Sequence, residues 1–374
     1  MKDGSRFLFI IAVIISLLFQ SDLTSAASSS SFRTTLDSEA YIVIDANSGE
    51  KLYGKNAKTL MYPASITKIV TAIMAIKTLD LDETVTISEE AVNADGTRVY
   101  LLENEEVTVR QLLYGLMVSS GNDAAIALAE HMAGSVEAFS RDMNEFVKTQ
   151  IGVSSTHFTN PHGLFNDKHV TTASDMAKIS AYAMKNSIFR DLVATESYEW
   201  ISEGWETTLY NHHPLLRQSE NVIGIKNGYV KKSGFTLVTA AEKDGTELIV
   251  VTLNSPTREL GKQDTERLLT YTFDHYETQW VSFDDAILTP EFIYPEKVAV
   301  TTLKNEPISY DVSNKGFLRI YGSGNRLLSL NSLEPNDEID AKGIYEKEEV
   351  PADRGKLTTF LSFEWIFVTG FLFL

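Results

Sequence analysis

The sequence lacks cysteine entirely, and it has few basic residues relative to acidic ones. Without cysteine the chain has no disulfide framework, no zinc-thiolate site and no cysteine nucleophile. Its 51 acidic residues against 33 basic residues give a formal net charge of −18. Nucleic-acid phosphates require basic grooves, so this charge argues against a nucleic-acid partner.

Metal and nucleotide sites also lack their usual signals. The seven histidines are scattered, and His157, His162 and His169 are spaced too irregularly for a helical metal-binding pair. The Gly-Ser-Gly sequence at 322–324 fits a turn better than a phosphate-binding loop. We therefore expect no metal and no cofactor.

Both ends of the chain carry apolar segments. A basic start, a largely apolar run from Phe7 to Phe19 and small residues from Thr24 to Ser28 predict a signal peptide at residues 1–26. The apolar run has thirteen residues, which is short for a membrane span, although a retained N-terminal anchor is the alternative. The pattern predicts a chain that is exported across a bacterial cytoplasmic membrane.

Residues 357–374 are apolar and aromatic apart from a few hydroxyls and Glu364. They follow a polar linker at 351–356, and they predict a C-terminal membrane anchor on the outer face of the membrane. Eighteen residues barely span a bilayer, so the segment either crosses it or lies in its interface. A buried terminal helix is the alternative.

A serine and a lysine three residues apart, Ser65 and Lys68, occur where a helix is expected to begin. Proline at position 63 is disfavoured inside a helix and serine is favoured at its start, so Ser65 should open the helix. Lys68 then lies on the same face, one turn further on. A partly buried lysine with a lowered pKa can take the serine proton during nucleophilic attack. An ordinary capped helix with a surface lysine is the alternative.

Two further motifs follow along the chain. A polar turn at 120–122 interrupts an apolar helical segment, where Ser120 can relay a proton and the Asn122 amide can hold a carbonyl and a lysine. A β-type stretch at 223–230 carries Lys226, a fixed positive charge, and Gly228, whose missing side chain allows a ligand to approach. Taken alone, these motifs would be a turn between helices and an exposed strand end.

In this order, the three motifs resemble the Ser-x-x-Lys, Ser-x-Asn and Lys-Thr-Gly motifs of the serine penicillin-recognising enzymes. The stretches 117–130, 156–164 and 172–177 resemble the low-molecular-mass D-alanyl-D-alanine carboxypeptidases, peptidase family S11. The resemblance runs from about Glu39 to Ser282. It implies that Ser65 is the acylated nucleophile, that Lys68 is its general base, and that Ser120 and Asn122 form the second catalytic element.

The resemblance also implies a substrate-binding strand, formed by Lys226, Asn227, Gly228 and Tyr229. Lys226 would orient Ser120 and attract the terminal carboxylate of the substrate, and the backbone N–H groups of Ser65 and Tyr229 would form the oxyanion hole. Two lysines close together in a dry cleft repel each other, so one of them deprotonates more easily, which suits Lys68 as base.

The chain departs from the family pattern at Asn227, where threonine is usual, and at Val230, where another hydroxyl residue is common. The threonine hydroxyl normally helps to bind the terminal carboxylate. The Asn227 amide can still donate a hydrogen bond, but it is longer and differently placed. A lost hydrogen bond to a charged group costs roughly 1.5–3 kcal/mol, which predicts attenuated activity rather than none.

The order of predicted elements indicates an α/β (α+β) fold, a sheet flanked by helices. The resemblance implies a penicillin-binding transpeptidase domain, β-lactamase-like, at 36–280, and a small all-β domain at 281–350 that acts as a stalk. The elements predicted from local patterns are a hairpin around Asn47–Gly49, a mainly helical region at 107–189, a hairpin around Asp244-Gly245, a helix at 265–275, and strands at 297–302 and 317–321.

The resemblance implies an enzyme that removes the C-terminal D-alanine from peptidoglycan stem pentapeptides, with water resolving the acyl-enzyme. β-Lactams would acylate Ser65 as inhibitors. A class A β-lactamase is disfavoured, because no Glu-x-x-Leu-Asn segment follows Ser120 and the β domain and tail would be surplus. The remaining alternative is an attenuated or non-catalytic, membrane-tethered protein that binds peptidoglycan or regulates, which the departures at Asn227 and Val230 motivate.

Overall fold

The computed structural model describes residues 35–283 and 290–336. The predicted signal peptide, the linker and the C-terminal anchor lie outside the described residues. Within the described ranges, none of the helices combines the length and the apolar character that a bilayer crossing requires.

The described chain contains sixteen strands and eight α-helices. The strands are β1 (Ala40–Asp45), β2 (Lys51–Lys55), β3 (Thr84–Thr86), β4 (Glu106–Thr108), β5 (Ser197–Ile201), β6 (Glu206–Tyr210), β7 (Val222–Val230), β8 (Gly234–Lys243), β9 (Thr246–Ser255), β10 (Tyr276–Ser282), β11 (Phe292–Ile293), β12 (Lys297–Leu303), β13 (Ser309–Val312), β14 (Phe317–Gly322), β15 (Arg326–Ser332) and β16 (Glu334–Pro335). The helices are α1 (Lys68–Thr78), α2 (Glu89–Val92), α3 (Val109–Met117), α4 (Asn122–Ala133), α5 (Val136–Phe146), α6 (Ala173–Met184), α7 (Ser187–Ala194) and α8 (Arg258–His275).

A five-stranded antiparallel sheet with the order β2-β1-β9-β8-β7 forms the centre of the larger part. Both predicted hairpins are confirmed, as β1–β2 and β8–β9. Asp244 and Gly245 connect β8 to β9 with φ angles of 52° and 80°, the left-handed conformation that two-residue hairpin turns require. Strand β7, which carries the Lys226 motif, therefore lies at an edge of this sheet.

The two faces of the sheet pack against different helices. One face joins the core of the helical region, through residues such as Ile42 and Val251 with Ile69 and Ile179. The other face packs against α8, whose buried side chains include Leu268 and Phe273. The predicted helix at 265–275 is confirmed and begins earlier, at Arg258. Because the sheet is covered on both sides, its central strands are almost entirely buried.

The start of α1 differs from the prediction. Ser65 lies in a 3₁₀ turn, Ala64–Thr67, and the α-helix begins only at Lys68. Pro63 precedes the turn, and neither the turn nor the helix has a side-chain cap. The expectation that Ser65 opens the α-helix is therefore wrong, although the serine does lie one turn from Lys68. Pro63 has a φ of −74°, which the proline ring fixes and which suits the residue just before such a turn better than a helix interior.

The smaller part consists of short antiparallel strands. β10 pairs with β12, β11 with β16, and β13, β14 and β15 form a three-stranded sheet. Val281, Val300, Leu318, Ile320 and Leu333 form its core. The predicted strands at 297–302 and 317–321 are confirmed as β12 and β14. Strand β10 begins at Tyr276, a few residues before the boundary drawn from the sequence, because it extends directly from α8.

A buried carboxylate joins the two parts. Asp45, at the end of β1, accepts hydrogen bonds from the hydroxyl groups of Thr278 and Thr301 in the smaller part. It also accepts bonds from the backbone N–H groups of Asn47 and Ser48 in its own turn. Hydrogen bonds to a buried charge are among the stronger ones, so this residue fixes the smaller part against the central sheet.

Candidate active site

Three segments that are distant in sequence converge at one end of the helical region. They are the 3₁₀ turn with the start of α1, the turn between α3 and α4, and the edge strand β7. They carry all eight residues that the sequence assigns to the site, namely Ser65, Lys68, Ser120, Asn122, Lys226, Asn227, Gly228 and Tyr229.

Lys68 is buried, and its Nζ has three polar neighbours within hydrogen-bond distance. Nζ lies 2.6 Å from Oδ1 of Asn122, 2.8 Å from the carbonyl oxygen of His162 and 3.3 Å from Oγ of Ser65. Burial lowers the pKa of Lys68 well below its ordinary value, and the positive charge of Lys226 lowers it further. Both causes favour the uncharged form of this amine, which lies beside a serine hydroxyl that remains partly exposed.

Asn122 holds this lysine and is itself fixed by the segment that precedes α3. Its Nδ2 donates to the carbonyl of Asp95 at 2.6 Å, and its backbone N–H donates to the carbonyl of Thr97 at 2.7 Å. An amide nitrogen carries two hydrogens, so one remains to bind a substrate carbonyl. Asn122 therefore contacts Lys68, and its role toward a substrate carbonyl stays a prediction.

Ser120 lies in the turn between α3 and α4, as predicted. It is 6% exposed and has a φ angle of 64°, which is uncommon for a residue with a side chain. The backbone N–H of Gly121 donates to the carbonyl of Gly115 and closes the turn. The turn therefore fixes Ser120 two residues before Asn122, the first residue of α4.

Lys226 lies on β7 with 2% of its surface exposed. Burial lowers its pKa to about 7. Its Nζ donates to the carbonyl of Asn227 at 3.3 Å. The pKa of each lysine is thus lowered. Burial and the charge of Lys226 both lower the pKa of Lys68, whereas burial alone lowers that of Lys226.

Gly228 lets the edge strand β7 contact the 3₁₀ turn that carries Ser65, here called the nucleophile turn. A Cβ atom at this position would lie 2.6 Å from the backbone nitrogen of Ser65 and 2.7 Å from Oγ1 of Thr236. Thr236 in turn donates to the carbonyl of Pro63 at 2.9 Å. The absence of a side chain thus brings the backbone of β7 beside the N–H of Ser65, the region in which an oxyanion hole is predicted.

Asn227 faces away from the Lys226 side, because consecutive strand residues point to opposite faces. Together with Pro214, Phe235 and Arg258 it lines a small cavity near the start of α8. Its Oδ1 is buried, and within the described part of the chain it has no hydrogen-bond partner. Tyr229 is 55% exposed and packs against Phe235.

The sequence did not identify every group of the site. The carbonyls of His162 and Asp95 contact Lys68 and Asn122, and backbone carbonyls leave no mark in a sequence. Asp123 is buried at the start of α4 and accepts hydrogen bonds from the backbone N–H groups of Val99 and Leu101. Its position directly after the Ser120–Asn122 turn could have suggested a structural role.

No group of histidine and acidic side chains in residues 35–283 and 290–336 has the arrangement of a metal site. His162 and His169 are buried, and burial followed by the charge of a neighbour lowers the pKa of each to about 3. Both are therefore neutral at physiological pH, as expected of structural histidines.

Comparison with known proteins identifies the family. Residues 24–257 match the model of the D-alanyl-D-alanine carboxypeptidases, peptidase family S11. The chain belongs to this family. Among its relatives, D-alanyl-D-alanine carboxypeptidase DacF of Bacillus subtilis is 31% identical over 248 residues, which cover 65% of this chain and 64% of that protein. DacA of Haemophilus influenzae is 35% identical over 285 residues, covering 72% of this chain and 70% of the relative.

Solved structures agree with this assignment. Penicillin binding protein 5 from Haemophilus influenzae has a TM-score of 0.70 at 27% identity, covering 81% of this chain and 97% of that chain. The Streptomyces K15 DD-transpeptidase has a TM-score of 0.61 at 32% identity, covering 64% of this chain and 98% of that chain. The predicted fold class, a penicillin-binding catalytic domain followed by a small β domain, is confirmed.

Replacing Lys226 with methionine is expected to raise the pKa of Lys68, because it removes the second of the two causes that lower it. Burial remains, so the pKa of Lys68 should stay below its ordinary value. The measurement is an NMR titration of protein labelled with ¹³C at lysine Cε, with the Lys68 signal assigned from Lys68→Met. Lys232→Met, at an exposed lysine in the β7–β8 turn, is the control and should leave Lys68 unchanged. A Lys68 pKa that stays constant in Lys226→Met would show that the two lysines do not interact.

Proposed function

We propose that this chain is a serine-type D-alanyl-D-alanine carboxypeptidase. It removes the C-terminal D-alanine from peptidoglycan stem pentapeptides through an acyl-enzyme on Ser65. The observation that carries the proposal is the buried Lys68 amine, which has hydrogen bonds to Ser65 and Asn122 and to the carbonyl of His162. Family membership and the named carboxypeptidase relatives support the same reaction.

In the acylation step, Oγ of Ser65 bonds to the carbonyl carbon of the penultimate D-alanine. Its proton passes to the uncharged amine of Lys68, the form that burial favours. The tetrahedral intermediate carries its negative charge on the former carbonyl oxygen. The backbone N–H groups of Ser65 and Tyr229 stabilise this charge.

Collapse of the intermediate breaks the peptide bond and leaves an ester on Ser65. The proton held by Lys68 passes through Ser120 to the nitrogen of the departing D-alanine. Water then attacks the ester, with Lys68 again accepting a proton, and the bond to Oγ breaks as the proton returns to Ser65. The products are the shortened peptide, one D-alanine and the regenerated serine.

The edge strand β7 binds the substrate terminus in this proposal. Lys226 attracts the terminal carboxylate. Because this lysine is buried, water screens the attraction between the two charges less than it would at the surface. Asn227 faces the cavity near Arg258 rather than the Lys226 side. In this geometry the side chain at position 227 does not reach a carboxylate that lies beside Lys226.

β-Lactams act as inhibitors in this proposal, because their strained amide acylates Ser65 and the resulting ester is hydrolysed slowly. A class A β-lactamase would need a deacylating Glu-x-x-Leu-Asn segment after Ser120, and the sequence contains none. A binding or regulatory protein without turnover would have no use for the buried lysine, whose desolvation is costly. The intact group of Ser65, Lys68 and Asn122 therefore favours an enzyme.

Purified chain incubated with diacetyl-L-lysyl-D-alanyl-D-alanine should release D-alanine, and Ser65→Ala should abolish the release. The loss follows because no nucleophile remains to form the ester. Ser329→Ala, in β15 of the smaller part, is the matched control and should retain full activity. Addition of an amine acceptor tests whether water resolves the acyl-enzyme. Wild-type protein that is folded but releases no D-alanine contradicts the proposal and leaves peptidoglycan binding as the function.

Asn227→Thr is expected to change kcat/KM for this peptide less than about threefold, because a threonine at this position leaves β7 on the same face as asparagine, toward the cavity near Arg258. Val230→Thr serves as the comparison for the second departure from the family pattern. The measurement is kcat/KM with the free carboxylate and with the matching peptide amide. A gain of about tenfold or more for Asn227→Thr that appears with the carboxylate and disappears with the amide would show that position 227 reaches the substrate terminus.

We also infer that the chain is exported and held at the outer face of the membrane by residues 357–374. The three-part pattern of residues 1–26 and the apolar, aromatic tail support this inference. In a bacterial host, deletion of 357–374 should move the protein from the membrane fraction to the soluble fraction, whereas deletion of the linker 351–356 should not. Mass spectrometry of the wild-type N-terminus should show cleavage near residue 26. A truncated chain that still sediments with membranes would refute the anchor.

A further inference from the structure

The segment 159–164, here called the carbonyl turn, contacts Lys68 and the backbone of Ala64. Its carbonyl at His162 accepts a hydrogen bond from Nζ of Lys68 at 2.8 Å. The segment belongs to one of the stretches that resemble the family, but the reaction described above assigns none of its side chains a role. Its geometry shows what fixes the position of that carbonyl.

The Asn160 side chain closes the carbonyl turn with two hydrogen bonds. Its Oδ1 accepts from the backbone N–H of Gly163 at 2.7 Å, and its Nδ2 donates to the carbonyl of Leu164 at 3.0 Å. These two bonds lie on the C-terminal side of His162, and Asn160 itself lies two residues before it. The His162 peptide is therefore held between the two ends of one side-chain clamp.

Two further contacts press the carbonyl turn against the start of α1. Oγ1 of Thr71 donates to the carbonyl of Pro161 at 2.6 Å, one residue before His162. Gly163 has a φ of 92°, and a Cβ atom there would lie 1.9 Å from the carbonyl oxygen of Ala64. The carbonyl turn thus touches the backbone beside Ser65 and the first turns of the helix that carries Lys68.

A neutral histidine connects the beginning of the carbonyl turn to the nucleophile turn. The backbone N–H of Thr159 donates to Nδ1 of His169 at 2.9 Å, so the ring proton lies on Nε2. Nε2 lies 2.8 Å from Oγ1 of Thr67, to which it donates. His169 therefore connects the carbonyl turn to residue 67, next to Lys68.

We propose that Asn160 is a positioning residue for the general base, because its clamp holds the His162 carbonyl where it accepts an N–H from Lys68. As a catalytic statement this rests on the proposed function. A neutral amine has two N–H groups and one lone pair. The carbonyls of Asn122 and His162 take both N–H groups, so the lone pair points toward Oγ of Ser65, the longest of the three contacts at 3.3 Å.

Loss of the His162 contact has two separable consequences. A carbonyl oxygen stabilises an ammonium more than an amine, so removing it lowers the pKa of Lys68 further. The amine also gains freedom to rotate, so its lone pair is aimed at Ser65 for less of the time. The first effect appears in a titration, and the second appears in the rate.

The charged and titratable groups around Lys68 remain in place when Asn160 changes. They are Lys226 on β7, Asp123 on α4, and the neutral rings of His162 and His169. A general loosening of the site would bring in water and raise the pKa of Lys68 toward its ordinary value. The proposal therefore predicts a shift in the opposite direction from simple structural damage.

The test is the ¹³Cε lysine titration of Asn160→Ala together with its pH–rate profile for D-alanine release. We expect the pKa of Lys68 to fall by about one pH unit, with the acid limb of the profile moving equally. The plateau kcat should fall about tenfold to a hundredfold while KM changes less than threefold. An Asn160→Ala protein that is folded and whose Lys68 pKa is unchanged or raised overturns the proposal.

The matched control is Asn166→Ala, another asparagine in the same loop. Its Oδ1 accepts from the N–H of Lys168 at 2.9 Å and closes a turn away from Lys68, so the Lys68 titration should not change. If Asn160→Ala does not fold, Thr71→Val decides the question. It removes the bond to Pro161, and it should lower the Lys68 pKa by a smaller amount; an unchanged value overturns the proposal. Because the titration needs no turnover, it remains decisive even if the wild type releases no D-alanine and the proposed function fails.

Discussion

The rest of the site depends on the burial of one amine, that of Lys68. Transfer of a charged ammonium into a core is costly, so the group loses its proton readily and needs acceptors for its N–H groups. Asn122 lies 54 residues away and His162 lies 94 residues away along the chain. Both must be present for the amine to be satisfied. The same burial therefore favours an uncharged amine, the form that the proposed general base needs, and connects three segments of the helical region.

Close contact between backbones places the nucleophile beside this amine. Gly228 on the edge strand and Gly163 in the carbonyl turn both lie against the backbone of Ala64 and Ser65. A side chain at either position would collide with main-chain atoms, which cannot move aside as a flexible side chain can. The backbone of Ala64 and Ser65 is thus closely packed at two points, while the Ser65 side chain remains partly exposed.

Local patterns predicted the elements whose stabilising contacts are local. The β8–β9 hairpin follows from Asp244 and Gly245 between two apolar strands, and the face shared by Ser65 and Lys68 follows from helical spacing. The expectation that Ser65 opens the α-helix was wrong, because Ser65 lies in the 3₁₀ turn that follows Pro63 and the α-helix begins at Lys68. Asn227 was expected to reach the substrate, and the alternation of β7 directs it toward the opposite face.

The sequence by itself determined the chemical groups of the site, their order and the family, because hydroxyl, amine and amide side chains are written in the sequence. Only the tertiary structure decided which backbone groups complete the site. Every residue of any chain has a backbone carbonyl, so the sequence does not mark those of His162 and Asp95 as part of the site. What selects them is the packing of a loop against a helix, and long-range packing of this kind depends on the whole core rather than on any short pattern.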